Sequence, residues 1–375
     1  MRPAVFLLGC CFALQAWAQD CTPATWLRLA GGPPEAVSPA VLIAELAQRD
    51  VVLLGEQHPE ADHHHWQLHT LAALHAQRPD MAIGFEMFPR RVQPLLDRWV
   101  AGELTAQQFL AGVQWDELWG TPPELYLPLF EFARLQRVRM VALNVDRKLT
   151  QAVAEKGWDA VPEREREGVS RPAPAPQPYL DELDLVHREH PDKTPFRYFV
   201  EAQQTWDRAM AQALAAESRR QAGAKPLVVG IMGSGHLRHG HGVPLQLRDL
   251  GITRLATALP LGARSECADI RAGLADAVFV LPERERAKPA PPRLGVALEQ
   301  QGDAVKIAQV IAGSLAERSG LRTGDIVVAA AGKPLARVAR FIETVRRQPE
   351  GTWLPVQVRR GAQTHELVIR FPAAP

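Results

Sequence analysis

The residues able to do chemistry in this chain stand where apolar runs end. Glu56 and His58 close the run Val51-Val52-Leu53-Leu54-Gly55 and are followed by Asp62-His63-His64-His65 at the opening of a helix. A spacing of two puts Glu56 and His58 on one side of an extended chain. Glu86 follows Met81-Ala82-Ile83-Gly84-Phe85, Asn144 and Asp146 follow Arg139 to Leu143, and His236 follows Pro226 to Met232 through Gly233-Ser234-Gly235. Carboxylates and imidazoles converging from several strands suit a divalent transition metal with water in an open position. They equally suit a histidine general base steered by a carboxylate. Gly233 to Gly235 lets backbone N–H groups approach a ligand, and the N-terminus of the helix starting near Glu60 can hold an anion such as a carboxylate.

Other histidines and tryptophans have plainer readings. Any one of His63, His64 and His65 can be a capping or surface residue. His239 and His241, in a Gly-rich loop, read as solvated, and His187, His190 and His365 as surface. Trp115, Trp119 and Trp206 read as core of the helical insertions, with the lining of an apolar pocket by one of them as the weaker alternative. Packing alone does not explain Glu56, His58 and His236, because separate strands deliver them to one rim.

The elements that must position these groups are legible. Each apolar run is too short to span a membrane and reads as a buried parallel strand. Four times a strand ends on a polar or ionisable residue and a helix follows. That predicts an α/β fold with a mostly parallel sheet, its site at the carboxyl ends of the strands. Leu42 to Leu46 reads as a short helix ahead of the first strand. In the helix from Glu60 to about Gln77, the spacing of His64, Leu68, Leu71 and His75 predicts one inward face. Helical insertions from Arg98 to Gln136 and from Tyr179 to Arg220 are candidate lids, and Arg171 to Pro178, rich in proline, is an extended spacer.

The chain has 375 residues, 46% of them hydrophobic, enough for two domains. Its 43 basic and 42 acidic side chains and lack of long basic runs leave no footprint for nucleic acid or an anionic membrane surface. Arg2, the run Ala4 to Leu14 and Ala16-Trp17-Ala18 have the parts of a secretory signal peptide over residues 1–18. Leu7-Leu8-Gly9-Cys10 is a poor lipobox and the weaker alternative. Cleavage after Ala18 leaves Cys21 and Cys267, which in an oxidising compartment either pair or stay as two thiols. The expected address is the periplasm or the outer membrane's periphery. The main domain is expected over 19–285, a Pro-rich linker over 286–292, and a β-rich module over 293–375, its strands at Val305 to Val310, Asp325 to Val328, Val356 to Val358 and Leu367 to Phe371, with one helix near Val338 to Arg347.

Two resemblances add to this. Leu294-Gly295-Val296 with Gly313 to Asp325, which holds an Ala-x-x-x-Gly-Leu-x-x-Gly-Asp core, resembles a PDZ domain of the bacterial protease type. That implies capture of C-terminal peptides by Arg293, Leu294, Gly295 and Val296, beside the helix near Val338 to Val345. Gly55-Glu56-Gln57-His58 with His63-His64, Glu86-Met87-Phe88, Glu201 to Ala211, Gly233-Ser234-Gly235-His236-Leu237 and Gly242-Val243-Pro244 resembles the ChaN family of haem-binding, iron-regulated lipoproteins, over about residues 40 to 260. The resemblance implies a haem pocket, often between two subunits, with His63, His64, Glu86, Asn144, Tyr198, Gly235 and His236 as ligand-binding candidates and a role in envelope iron acquisition. Tyr126 and Tyr198 lie in the insertions and Tyr179 ends the spacer; none matches a family motif, so the axial ligand stays open. The wider superfamily, with Tiki metalloproteases and erythromycin esterases, implies a hydrolase instead. Glu56, His58, Glu86 and His236 would then hold zinc, manganese or cobalt, or Glu56 and His58 would activate water. A scaffold without chemistry is the third class.

Overall fold

The computed structural model describes residues 21–30, 32–189, 194–220, 225–262, 267–282, 293–349 and 351–372. The expected signal peptide with Cys10, the Pro-rich linker and His190 lie outside the described residues. The chain forms two compact units that divide between Arg284 and Glu285. Among the described residues no helix is long and apolar enough to cross a membrane.

The first unit opens with β1 (Thr25–Arg28), β2 (Glu35–Val37), α1 (Pro39–Ala47), β3 (Val51–Glu56), α2 (Ala61–Gln77) and β4 (Met81–Pro89). It continues through α3 (Gln93–Ala101), α4 (Ala106–Gly112), α5 (Trp115–Leu118), α6 (Leu127–Leu135), β5 (Arg139–Asn144) and α7 (Arg147–Lys156). It ends with α8 (Gln177–Glu189), α9 (Phe196–Ser218), β6 (Leu227–Gly233), α10 (Gly242–Asp249), β7 (Leu255–Gly262) and β8 (Ala277–Leu281). The sheet order is β2-β1-β8-β7-β3-β6-β4-β5. The six strands from β8 to β5 pair in parallel, and β1 and β2 add an antiparallel edge. All six positions of β3 are buried, as expected of a strand covered by helices on both faces. Val52, Leu54, Ile83, Phe85 and Ile231 belong to one core, Val51, Leu53, Val228 and Met232 to the other.

The mostly parallel sheet agrees with the sequence. β1, β2, β7 and β8 were not anticipated. β7 and β8 end on apolar residues rather than on a charged signpost, and β1 and β2 are only four and three residues long. A disulfide joins Cys21, just before β1, to Cys267, between β7 and β8, with a Cα separation of 6.0 Å. The inward face of α2 is also rotated from the expected one. His64, Gln67, Leu71 and Leu74 are buried, whereas Leu68 and His75 are half-buried, because the helix packs Gln67 against the end of β3.

The second unit has β9 (Val296–Gln301), β10 (Ala304–Val310), α11 (Leu315–Arg318), β11 (Ile326–Ala330), β12 (Lys333–Pro334), α12 (Val338–Arg346), β13 (Trp353–Arg360) and β14 (Gln363–Arg370). Its sheet is antiparallel, in the order β14-β13-β11-β10-β9, with β12 on β11. Phe341 and Val345 of α12 close a core with Val305, Ile307, Val356 and Val358. β9 and β12 add to the four expected strands. β9 alternates half-buried Val296 and Leu298 with exposed residues, a half-covered outer strand rather than an apolar run.

Candidate functional site

Three adjacent strands, β3, β6 and β4, deliver the site. Period two along β3 carries Glu56 onto the side of Val52 and Leu54, where α2 and α6 lie. There Glu56 Oε1 accepts a hydrogen bond from the Tyr126 hydroxyl at 2.5 Å and lies 2.8 Å from His58 Nδ1. Oε2 accepts from Gln67 Nε2 at 3.0 Å. His64 braces this group, its Nε2 3.0 Å from the His58 carbonyl and its ring 4.3 Å from that of Tyr126.

Glu86 arrives by a different device. The pairing of β4 with β5 runs from Phe85 opposite Ala142 to Pro89 opposite Asn144, four steps on one strand against two on the other. This bulge frees Glu86 from the ladder and aims it at β6. Its Oε2 accepts from the Gly233 N–H at 2.6 Å. Oε1 is 3.5 Å from His236 Nε2, an ion-pair separation, yet has no hydrogen-bond partner among the described residues although Glu86 is fully buried. On its other side His236 Nδ1 lies 2.6 Å from Asp207 Oδ1 of α9, and Asp207 Oδ2 accepts from the Tyr179 hydroxyl of α8 at 2.8 Å.

The result is two matching arrays, Tyr126, Glu56 and His58 on one side and Tyr179, Asp207 and His236 on the other, with Glu86 and Gly233 between them. Gly233 has a structural reason: a Cβ there would come within 3.0 Å of His58 Cε1 and 3.3 Å of Nε2.

Electrostatics sets the arrays apart. Burial would lower the His236 pKa, but the charge of Glu86 and the bond to Asp207 overcome it and raise it to about 10, so the ring is an imidazolium at neutral pH. Burial likewise opposes the charged form of His58, and the Glu56 hydrogen bond with the charges of Glu86 and Glu56 outweighs it, leaving the pKa above the ordinary value. Burial would raise Glu86, yet His236 above all, with His58 and the Gly233 N–H, holds it below the usual carboxylate range. Tyr126 and Tyr179 are pushed far up, by burial first and then by Glu56 and Asp207, and stay protonated donors.

An apolar cleft of about 250 Å³ adjoins the arrays, lined by Met87, Leu118, Trp119, Asn144, Arg147 and Trp206 among others. Trp119 sets its edge against His58 at 4.7 Å between centroids, and Trp206 against His236 at 5.0 Å. His58 is the exposed member, its side chain 38% accessible against 9% for His236. Its Nε2 has no hydrogen-bond partner among the described residues.

In the second unit a groove of about 480 Å³ runs between β9 and α12, and Arg293, Leu294, Gly295 and Val296 all line it. Gly295 has φ +77, and a Cβ there would strike Ser314 Cβ at 2.4 Å, so the turn into β9 requires glycine.

Residues 42–247, over half of the chain, match the model of the family described as haem-binding uptake, Tiki superfamily, ChaN. The chain belongs to the ChaN family. Residues 292–370 match a PDZ domain. Among solved structures, one described as cofacial haem binding to ChaN of Campylobacter jejuni is 21% identical, covers 68% of this chain and 96% of that chain, and superposes with a TM-score of 0.52, the same fold. The PDZ domain of HtrA3 bound to a phage-derived ligand is 23% identical over 21% of this chain and 82% of that chain, with a TM-score of 0.19. A serine endoprotease from Yersinia pestis is 24% identical over 22% and 29%, with a TM-score of 0.20. No curated protein matches the chain.

Within the ChaN domain the structure brings Glu56, His58, His64, Glu86 and His236 together. Asn144 supports them from behind, its Nδ2 donating to the Glu86 carbonyl at 3.0 Å. His63 does not join them: its Nδ1 accepts from the Gln57 N–H at 2.9 Å, and burial lowers its pKa to about 4, so it latches the turn after β3 as a neutral ring. Tyr198 stands elsewhere, packed where a Cβ on Gly157 would lie 2.7 Å from it and under the Arg197 guanidinium. The glycine of close approach is Gly233 rather than Gly235, around which a Cβ would meet nothing within 4 Å. The four residues expected as metal ligands converge as two carboxylate–imidazole pairs, and among the described residues no group of three or more His, Cys, Asp or Glu is arranged to hold a metal ion. Trp119 and Trp206 pack against the two cores and also line the cleft, and His239 and His241 face Glu182 rather than open solvent. Sequence reasoning missed Gln67 and Asp207, and it raised Tyr126 and Tyr179 only in connection with an open axial ligand, not as donors to Glu56 and Asp207. Asp207 had a signal, since Glu201 to Ala211 was among the family segments; the tyrosines had none, being placed by insertions.

Proposed function

We propose that the first unit binds haem at the cleft, as cargo in iron acquisition within an exported compartment, and that the second unit captures C-terminal peptides. The single observation that carries the haem reading is His58. Its Nδ1 is held on Glu56, which fixes the ring and leaves Nε2 uncommitted at a partly exposed position, the arrangement in which a carboxylate orients a histidine toward a metal. The residues present fit the group: Met87, Leu118, Trp119 and Trp206 offer apolar walls to a porphyrin face, and Arg147 offers a cation to a propionate. A cleft of about 250 Å³ would hold only part of a haem, and a second copy would cover the rest.

The test is a haem titration of residues 19–375, followed by the Soret band, on the parent and on His58→Ala. Saturable binding with a shifted band that the variant weakens about tenfold or more supports the reading. No saturable shift in the parent overturns it. A hydrolytic reading is favoured by one observation, the unpartnered Glu86 Oε1 beside the His236 imidazolium, a place for a reacting water. Metal analysis and ester turnover on the same preparation test it.

A further inference from the structure

We infer that the end of the first unit opposite the cleft docks on an anionic lipid surface. In a parallel sheet every strand starts at the same end, so the residues that lead into the strands gather there however far apart they stand in the chain. Here they are basic. Arg49 comes before β3, Arg78 before β4, Arg137 before β5, Lys225 before β6 and Arg254 before β7. These five strands are neighbours in the order β7-β3-β6-β4-β5, so at a strand spacing of about 4.8 Å the row is roughly 20 Å wide. No basic run marks it in the sequence, because only the fold assembles it.

Carboxylates do not neutralise this row. Asp50 is set inward, its side chain 16% accessible, with Lys225 Nζ at 2.7 Å and Arg254 Nε at 3.8 Å, so one acid serves two cations. Glu217, 6% accessible, is likewise shared, with Arg220 Nε at 2.6 Å and Arg139 Nε at 3.3 Å, and Arg139 also meets Asp97 at 3.1 Å. Other cations are held by neutral carbonyls instead. Arg78 donates to the carbonyls of Ala47, Arg49 and Lys225 at 2.7–3.0 Å, Arg137 to that of Val100 at 2.8 Å and Arg219 to that of Leu250. Such bonds satisfy the carbonyls left over at helix ends and fix the guanidinium groups, but they cancel no charge. Arg49, Arg137 and Arg219 remain exposed, and the exposed acid among the residues leading into these strands is Asp80.

Charges spread along a row fit a field of phosphates better than a single anion. Leu135, the last residue of α6 and 76% exposed, stands two residues before Arg137 and offers one apolar side chain to the acyl boundary. The export read from residues 1–18 favours a membrane over a nucleic acid as the source of those phosphates. β3 runs six residues from this end to Glu56, so docking would hold the haem cleft roughly 20 Å from the lipid, on the far side of the sheet.

The experiment is co-sedimentation of residues 19–375 with vesicles, either phosphatidylcholine alone or an equal mixture of phosphatidylcholine and phosphatidylglycerol. Binding to the mixed vesicles alone, lost as salt is raised, is expected. Arg49→Gln/Arg137→Gln/Arg219→Gln should weaken it about tenfold or more while the haem titration stays that of the parent. Leu135→Ser, a single change at an exposed position, should also weaken it and keeps the test decisive if the triple variant does not fold. Arg359→Gln/Arg370→Gln, in the second unit, is the control and should bind as the parent does. No binding to the mixed vesicles overturns the inference, as does capture of soluble polyphosphate by a parent that ignores the vesicles. Loss of binding in the second-unit control, with both first-unit variants unaffected, overturns it too, by moving the lipid contact to the other unit.

Discussion

The residue scale is governed by three buried charges. Glu86 and Asp207 flank the His236 imidazolium, and each would be an uncompensated charge without it. Replacing His236 by Ala is expected to cost about 3–5 kcal/mol in urea unfolding. Replacing Tyr126 by Phe removes one donor from Glu56 and should cost about 1–3 kcal/mol in the same measurement. The His236 pKa is raised in the folded state, so its contribution is fully present below the unfolded value of about 6.5 and is lost as pH rises toward about 10. The melting temperature should therefore fall between pH 7 and pH 10, and His236→Gln should flatten that slope. An unchanged slope in the variant would mean that the imidazolium does not stabilise the fold.

At the scale of the element, the site depends on a strand irregularity and two helices. The β4 bulge turns Glu86 toward β6, α6 supplies Tyr126 from one face of the sheet, and α9 supplies Asp207 from the other. Gly233 lets these parts meet. Gly233→Ala should weaken haem binding by pushing the His58 ring, which a Cβ would approach to 3.0 Å, with little change in the far-ultraviolet circular dichroism. The four strand-to-helix junctions of the site were legible because each combines a buried apolar run with an ionisable ending. The bulge was not, because nothing in Glu86-Met87-Phe88 itself says that its partner strand advances only two residues. α2 shows the same limit: a face read from apolar spacing missed Gln67, whose burial depends on the carbonyls and carboxylate of β3.

Over the whole molecule, the first unit is closed by a covalent link between the two ends of its chain. Cys21 and Cys267 are separated by 246 residues, and the bond holds β1 beside β8 at the antiparallel edge of the sheet. The Cys21→Ser/Cys267→Ser variant is expected to lose about 2–4 kcal/mol in urea unfolding, with no change in the haem titration, because the bond lies on the β1 and β8 side of the sheet and the site lies at β3, β6 and β4. The disulfide supports the proposal of an exported protein, because such bonds persist in oxidising compartments.

By itself the sequence determined the class of each unit, the rim where chemistry collects and five of its side chains, because buried parallel strands and charged strand ends are local patterns. It also placed the loop from Arg293 to Val296. Tertiary structure alone decided which groups touch. Tyr126 stands 70 residues from Glu56, and Tyr179 stands 28 from Asp207. Such contacts are set by the packing of insertions across the sheet, which no periodicity encodes. The same holds for protonation: His63 is neutral and His236 charged, because one is buried against a backbone N–H and the other between two carboxylates.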